Sequence, residues 1–175
     1  MNLPNLLSLF RLFVTAFFIL LVAYERYTLA LILFVMQALS DLLDGFFARR
    51  MGMKTSLGAH LDPAADKVML ASSYIVLCVQ GILPLWLVGT VFLRDLVISV
   101  GFLILWKRGL TVSPAPSLVS KMTTVFQMLT IVYVLAFDDR NFDLFFFYTT
   151  ALLTAVSGIQ YFFVGWTAFF RKEVV

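Results

Sequence analysis

The 175-residue sequence is poor in charge, cysteine and histidine, and each shortage excludes something. Only 13% of the residues are charged, where a soluble domain carries about 25%. Too few polar side chains exist to cover a water-facing surface, so a soluble globule is excluded. The 62% hydrophobic content excludes a disordered chain. The single cysteine, Cys78, lies in an apolar run, which rules out an intrachain disulfide and a disulfide-stapled secreted domain. The single histidine, His60, reads as a loop residue rather than a ligand. A basic start, a short apolar core and a small-residue cleavage site are missing at the N-terminus, so the first apolar stretch is expected to stay in the membrane. There is no internal repeat, and the only proline-rich piece is Ser113-Pro114-Ala115-Pro116.

Long apolar runs are abundant. Mean hydropathy is +0.98, and phenylalanine alone occurs 19 times, a composition suited to lipid contact. Six stretches stand out, approximately Leu3–Ala23, Thr28–Arg49, His60–Gln80, Leu83–Trp106, Pro116–Phe137 and Phe142–Phe170. Each holds the roughly 20 residues that a helix needs to cross a bilayer, and none alternates as a barrel strand does. The expected fold is all-α: one polytopic membrane domain over residues 1–175, a bundle of six transmembrane helices.

The cations set its orientation. Arg11, Arg49, Arg50, Lys54, Lys67, Lys107, Arg108, Lys121, Arg171 and Lys172 fall on one side of a six-span arrangement. Arg26 and Arg140 fall on the other, beside Glu25, Asp138, Asp139 and Asp143. The positive-inside rule then puts both termini in the cytoplasm.

Four acids sit in the ends of otherwise apolar helices: Asp41, Asp44, Asp62 and Asp66. An aspartate at a helix centre costs about 2.5–3.5 kcal/mol on the insertion scale, so four together need a reason. Asp41 and Asp44 are one turn apart on span two, and Asp62 and Asp66 are one turn apart on span three. A short connection makes these spans antiparallel neighbours, with both pairs about 6–14 Å in from the turn. Four carboxylates can thus converge on one small volume. Oxygen-only donors favour Mg²⁺ or Mn²⁺ over Zn²⁺, and four carboxylates suit two bridged ions, the arrangement that clamps a transferring phosphoryl group. Taken singly, Asp62 before Pro63 also reads as a helix cap, and Asp41 as a solvated end residue. Gly45 and Ala48 allow close approach of a flat group, or simply close helix packing. Arg49 suits a cytoplasmic anchor or a bidentate phosphate contact.

In order, the chain reads Asp41-x2-Asp44-Gly45-x2-Ala48-Arg49-x8-Gly58-x3-Asp62-x3-Asp66. This resembles the signature of the CDP-alcohol phosphotransferase (phosphatidyltransferase) family at every defined position. The resemblance implies a six-span enzyme, typically a homodimer, with a cytoplasm-facing site and two divalent ions. Such enzymes move a substituted phosphate from a CDP-linked donor to an alcohol and release CMP. By position, Asp41, Asp44, Asp62 and Asp66 would hold the metals, and Asp66 would also take the proton of the attacking hydroxyl. Gly45, Ala48 and Arg49 would line the cytidine diphosphate pocket with Thr55 and Gly58, and Asn5 would lie near the donor phosphates. A membrane-embedded site suits CDP-diacylglycerol as donor. No nucleic-acid partner is implied, and the expected location is an integral one among membrane lipids, in the inner membrane if the cell is bacterial.

The acceptor is read from cations outside the signature. Arg94 lies mid-span beside Asp95, and Lys121 in the first turns of span five. Together they could hold an acceptor phosphate. The other readings are an Arg94–Asp95 structural pair and a Lys121 that snorkels to the surface. The N-terminal segment and Lys121-x2-Thr124-x2-Gln127 look like the branch with glycerol-based acceptors, which includes phosphatidylglycerol-phosphate synthases and cardiolipin synthases. Asp95 and Ser120 look more like the cardiolipin side, whereas the basic cytoplasmic mouth favours glycerol 3-phosphate. A divalent-cation carrier is the remoter alternative. It leaves Gly45, Ala48 and Arg49 without a role.

Overall fold

The computed structural model describes the backbone of residues 3–51, 58–107, 117–137 and 140–170, and the side chains of 12–40, 67–105, 107, 117–137 and 140–167. Within these residues the chain forms six helices: α1 (Leu3–Ala23), α2 (Tyr27–Met51), α3 (Gly58–Val79), α4 (Leu85–Lys107), α5 (Leu118–Ala136) and α6 (Asp143–Phe170). Each coincides with an apolar stretch of the sequence to within a few residues. Among the described residues, Leu85–Leu105, Leu118–Ala136 and Asp143–Thr167 are long and apolar enough to cross a membrane. The described parts of the first three helices, Leu12–Ala23, Tyr27–Ser40 and Lys67–Val79, are apolar and shorter.

The helices fall into two compact units. One comprises α1, α2, α3 and the stretch Ile131–Arg140; the other comprises α4, α5 as far as Thr130, and α6. In the first unit the core gathers Phe18 and Val22 of α1, Ala30 and Phe34 of α2, and Met69, Tyr74 and Leu77 of α3. The Phe18 and Phe34 rings meet at 5.8 Å.

Both α1 and α3 end in a Schellman motif. After α1, Glu25 N–H donates to the Val22 carbonyl at 3.0 Å and Arg26 N–H to that of Leu21 at 2.8 Å. After α3, Gly81 N–H donates to Cys78 at 2.9 Å and Ile82 N–H to Leu77 at 2.9 Å. The motif needs a left-handed residue at its pivot, and Glu25 (φ 58°) and Gly81 (φ 70°) supply it. The side-chain amide of Gln80 then donates to the carbonyls of Val22 and Ala23, 3.3 Å each. It thereby gives the Ala23 carbonyl a donor and the Val22 carbonyl, already bonded to Glu25 N–H, a second one.

The second unit is built inside out relative to a soluble protein. Leu93, Leu96, Phe102, Leu144, Leu152, Phe162 and Phe163 are exposed, while Thr123, Gln127, Thr130, Thr150, Thr154 and Ser157 are buried. These polar groups pair along the α5–α6 seam. The Thr123 hydroxyl shares its one proton between the Val119 carbonyl of its own helix at 2.8 Å and the Leu153 carbonyl of α6 at 3.0 Å, and the Gln127 amide donates to Thr154 Oγ1 at 3.4 Å. Thr130 and Thr150 hydroxyls meet at 2.7 Å. Hydroxyls between helices and hydrocarbon outside is how helices pack where the surrounding solvent is lipid. The distribution is that of an integral membrane protein.

Candidate active site

The helical faces that carry the acidic residues are set by turns farther along the same helices. On α2, Ala30, Phe34 and Gln37 recur at helical spacing and are all buried. Positions 41 and 44 continue that stripe. On α3, Met69, Ser73 and Leu77 form the buried stripe, and positions 62 and 66 continue it in the opposite direction. The Ser73 hydroxyl is turned back onto the Met69 carbonyl at 2.7 Å, so this face needs no outside partner for it. Between α1 and α2, the buried Gln37 amide donates to Thr15 Oγ1 at 3.1 Å. From that cross-link Asn5 lies about 15 Å along α1 and Ala48 about 16 Å along α2, so the two positions share a level at 1.5 Å rise per residue.

Asp41, Asp44, Gly45, Ala48 and Arg49 are in α2, Gly58, Asp62 and Asp66 in α3, and Asn5 in α1. The side-chain positions of all nine lie outside the described residues, and Thr55 lies outside them altogether. Among the described residues no group of three or more His, Cys, Asp or Glu side chains stands together as a metal site.

Arg94 is fully placed. Its Nη1 donates to Asp95 Oδ1 at 2.8 Å, and its Nη2 to Ser120 Oγ at 2.7 Å and Ser157 Oγ at 3.2 Å. The guanidinium carbon lies 5.9 Å from the Tyr161 ring centroid, within cation–π range. The side chain is 11% exposed, and its Nε is buried without an acceptor among the described residues. The pairing with Asp95 weighed from the sequence is therefore present. It accounts for one of the five N–H donors that a guanidinium carries. Lys121 directly follows Ser120 on α5 and is exposed; among the described residues its ammonium makes no hydrogen bond or ion pair.

The sequence reading missed Ser157, Tyr161 and the Thr15–Gln37 pair. A signal for Ser157 does exist. Ser120, Thr123, Gln127 and Thr130 recur on one face of α5, and Thr150, Thr154 and Ser157 recur with matching spacing on α6.

Residues 1–165 match the CDP-alcohol phosphatidyltransferase family. The chain belongs to this family. Among curated members, the CDP-diacylglycerol--glycerol-3-phosphate 3-phosphatidyltransferase of Aquifex aeolicus (strain VF5) is 40% identical over 150 residues, covering 81% of each chain. The protein of that name from Wigglesworthia glossinidia brevipalpis is 31% identical, over 98% of this chain and 99% of its own. A probable cardiolipin synthase (CMP-forming) of Drosophila melanogaster is also 31% identical, over 92% of this chain and 56% of its own. CDP-alcohol phosphatidyltransferases are transferases, so this member of the family is an enzyme of phospholipid synthesis.

Proposed function

We propose that the chain is a metal-dependent phosphatidyltransferase that joins CDP-diacylglycerol to glycerol 3-phosphate, giving phosphatidylglycerol phosphate and CMP. The observation that carries this reading is the 40% identity to the Aquifex transferase of that name, in a chain that keeps every fixed residue of the family signature. In the proposed arrangement six helices span the membrane, both termini are cytoplasmic, the site opens to the cytoplasm, and two copies form a homodimer.

Asp41, Asp44, Asp62 and Asp66 would hold two Mg²⁺ or Mn²⁺ ions. The donor set fits hard cations, since it is all carboxylate and its positions extend the buried stripes of α2 and α3. Metal held by these four residues would supply positive charge to offset that of the diphosphate. Asp66 accepts the proton of the acceptor hydroxyl. The hydroxyl oxygen bonds to the phosphorus that carries diacylglycerol, the bond from that phosphorus to the bridging oxygen breaks, and CMP leaves with the electron pair. Gly45, Ala48, Arg49, Thr55 and Gly58 bind the cytidine diphosphate, with Asn5 near its phosphates. Arg94 and Lys121 bind the acceptor phosphate. The chain offers no Ser/His/Asp or Cys/His arrangement for a covalent intermediate, so transfer is one direct displacement.

A cardiolipin synthase reading, with phosphatidylglycerol as acceptor, draws on the Drosophila relative and on Asp95 and Ser120. An acceptor panel separates the two. Purified protein in detergent with Mg²⁺ and CDP-diacylglycerol is offered glycerol 3-phosphate, phosphatidylglycerol, inositol phosphate or serine, and products are identified by mass spectrometry. CMP release with glycerol 3-phosphate, stopped by EDTA and restored by Mg²⁺, is the expected result. Turnover only with phosphatidylglycerol would replace the first reading with the second.

A further inference from the structure

Arg94 is held by more than its carboxylate. Asp95 is the next residue on the same helix, and neighbours at i and i+1 point about 100° apart, so their side chains cannot meet fork to fork. The bond is accordingly single, Nη1 to Oδ1 at 2.8 Å. What directs the guanidinium is the pair of neutral hydroxyls on Nη2, Ser120 from α5 and Ser157 from α6. Ser157 is completely buried, and Tyr161, one turn on, lies against the guanidinium. Nε–H shares its edge of the guanidinium with one Nη2 hydrogen and has no acceptor among the described residues. A charged donor left unfilled in a buried place calls for an explanation.

We propose that Ser157 is a positioning residue for the acceptor: its hydroxyl holds Nη2 of Arg94 from α6, keeping the Nε–H of the guanidinium for an anionic group of the alcohol substrate. The proposal rests on the reading of Arg94 as an acceptor contact given above. A hydroxyl suits this task better than a carboxylate. It orients the donor without neutralising it, and an incoming phosphate, as a charged acceptor, forms the stronger hydrogen bond. Ser157 also continues the row that joins α6 to α5 through Thr154 and Thr150, so its own position is fixed by the seam beneath it.

The test compares Ser157→Ala and the nearly isosteric Ser157→Cys, each alone and combined with Arg94→Gln, as full-length protein in detergent. Loss of one hydrogen bond to a charged group should raise the KM for glycerol 3-phosphate about tenfold and leave the KM for CDP-diacylglycerol unchanged. In the Arg94→Gln background either Ser157 substitution should add nothing. If Arg94→Gln leaves the acceptor KM unchanged, the assignment of Arg94 itself is wrong. If Arg94→Gln raises it and the Ser157 variants do not, Ser157 has no positioning role. Equal losses on both substrates, full additivity with Arg94→Gln, or collapse of both variants during extraction would make Ser157 structural and overturn the proposal.

Discussion

Thr130 and Thr150 allow a stability prediction in which the two partners of one hydrogen bond are unequal. Their hydroxyls are 2.7 Å apart, and both side chains are fully buried. Thr130 Oγ1 is also 2.8 Å from the Phe126 carbonyl, whereas Thr150 Oγ1 is 3.3 Å from it. Each hydroxyl has one proton. The distances assign the Thr130 proton to Phe126 and the Thr150 proton to Thr130. Thr150→Val therefore removes one bond and leaves both the Thr130 donor and the Phe126 carbonyl satisfied. The cost should be near the average for a hydrogen bond between membrane helices, about 0.6 kcal/mol. Thr130→Val removes the bond to Phe126 as well and leaves the Thr150 proton only a long contact. It should cost about 1.5 kcal/mol, close to the upper end of such measurements. In the double variant the shared bond is lost once, so the total should fall about 0.6 kcal/mol short of the sum. Reversible unfolding by SDS in mixed micelles measures all three. A larger loss for Thr150→Val than for Thr130→Val, or strict additivity, would refute the proton assignment.

Three further outcomes are expected. Asp66→Asn should abolish CMP release while the protein elutes and melts like wild type; near-full turnover would remove Asp66 from the role of base. Lys121→Ala should raise the KM for glycerol 3-phosphate far more than that for CDP-diacylglycerol, and equal effects would mark a structural lysine. Gly81→Ala should destabilise by about 1 kcal/mol through backbone conformation alone, because a Cβ there meets nothing within 4 Å. Glu25→Gly should change stability in the opposite sense by a smaller amount, since glycine removes left-handed strain but loosens the unfolded chain. SDS unfolding reads both.

The helices were legible because lipid imposes one requirement, continuous apolar length, and because the runs stop at turn chemistry. Tyr24-Glu25-Arg26-Tyr27 and Gln80-Gly81 mark the ends of α1 and α3, where the two left-handed residues lie. The α2 boundary moved outward, from Arg49 to Met51, and that of α3 from His60 to Gly58. Helical hydrogen bonds extend past the apolar run wherever polar side chains can reach the interface. The seam between α5 and α6 was missed: the spacing of its hydroxyls marks a polar face on each helix, but hydropathy scores threonine and serine as nearly neutral and carries no information on which helix lies opposite. For the same reason the sequence placed Arg94 beside Asp95, offered Ser120 only as a marker of the acceptor branch, and was silent about Ser157. The signature aspartates could be grouped by spacing, because i+3 and i+4 fix a shared helical face without any knowledge of neighbours.

The amide of Gln80 reaches back to the final carbonyls of α1, across 57 and 58 positions of chain. During synthesis, then, the first hairpin leaves the ribosome with the Ala23 oxygen open to water and the Val22 oxygen held by Glu25 N–H alone. The Gln80 amide reaches them only when the end of the third helix arrives. A chain arrested before residue 80 keeps the local bonds of this turn but lacks that support, and should exchange the turn's amide protons faster than one released after it.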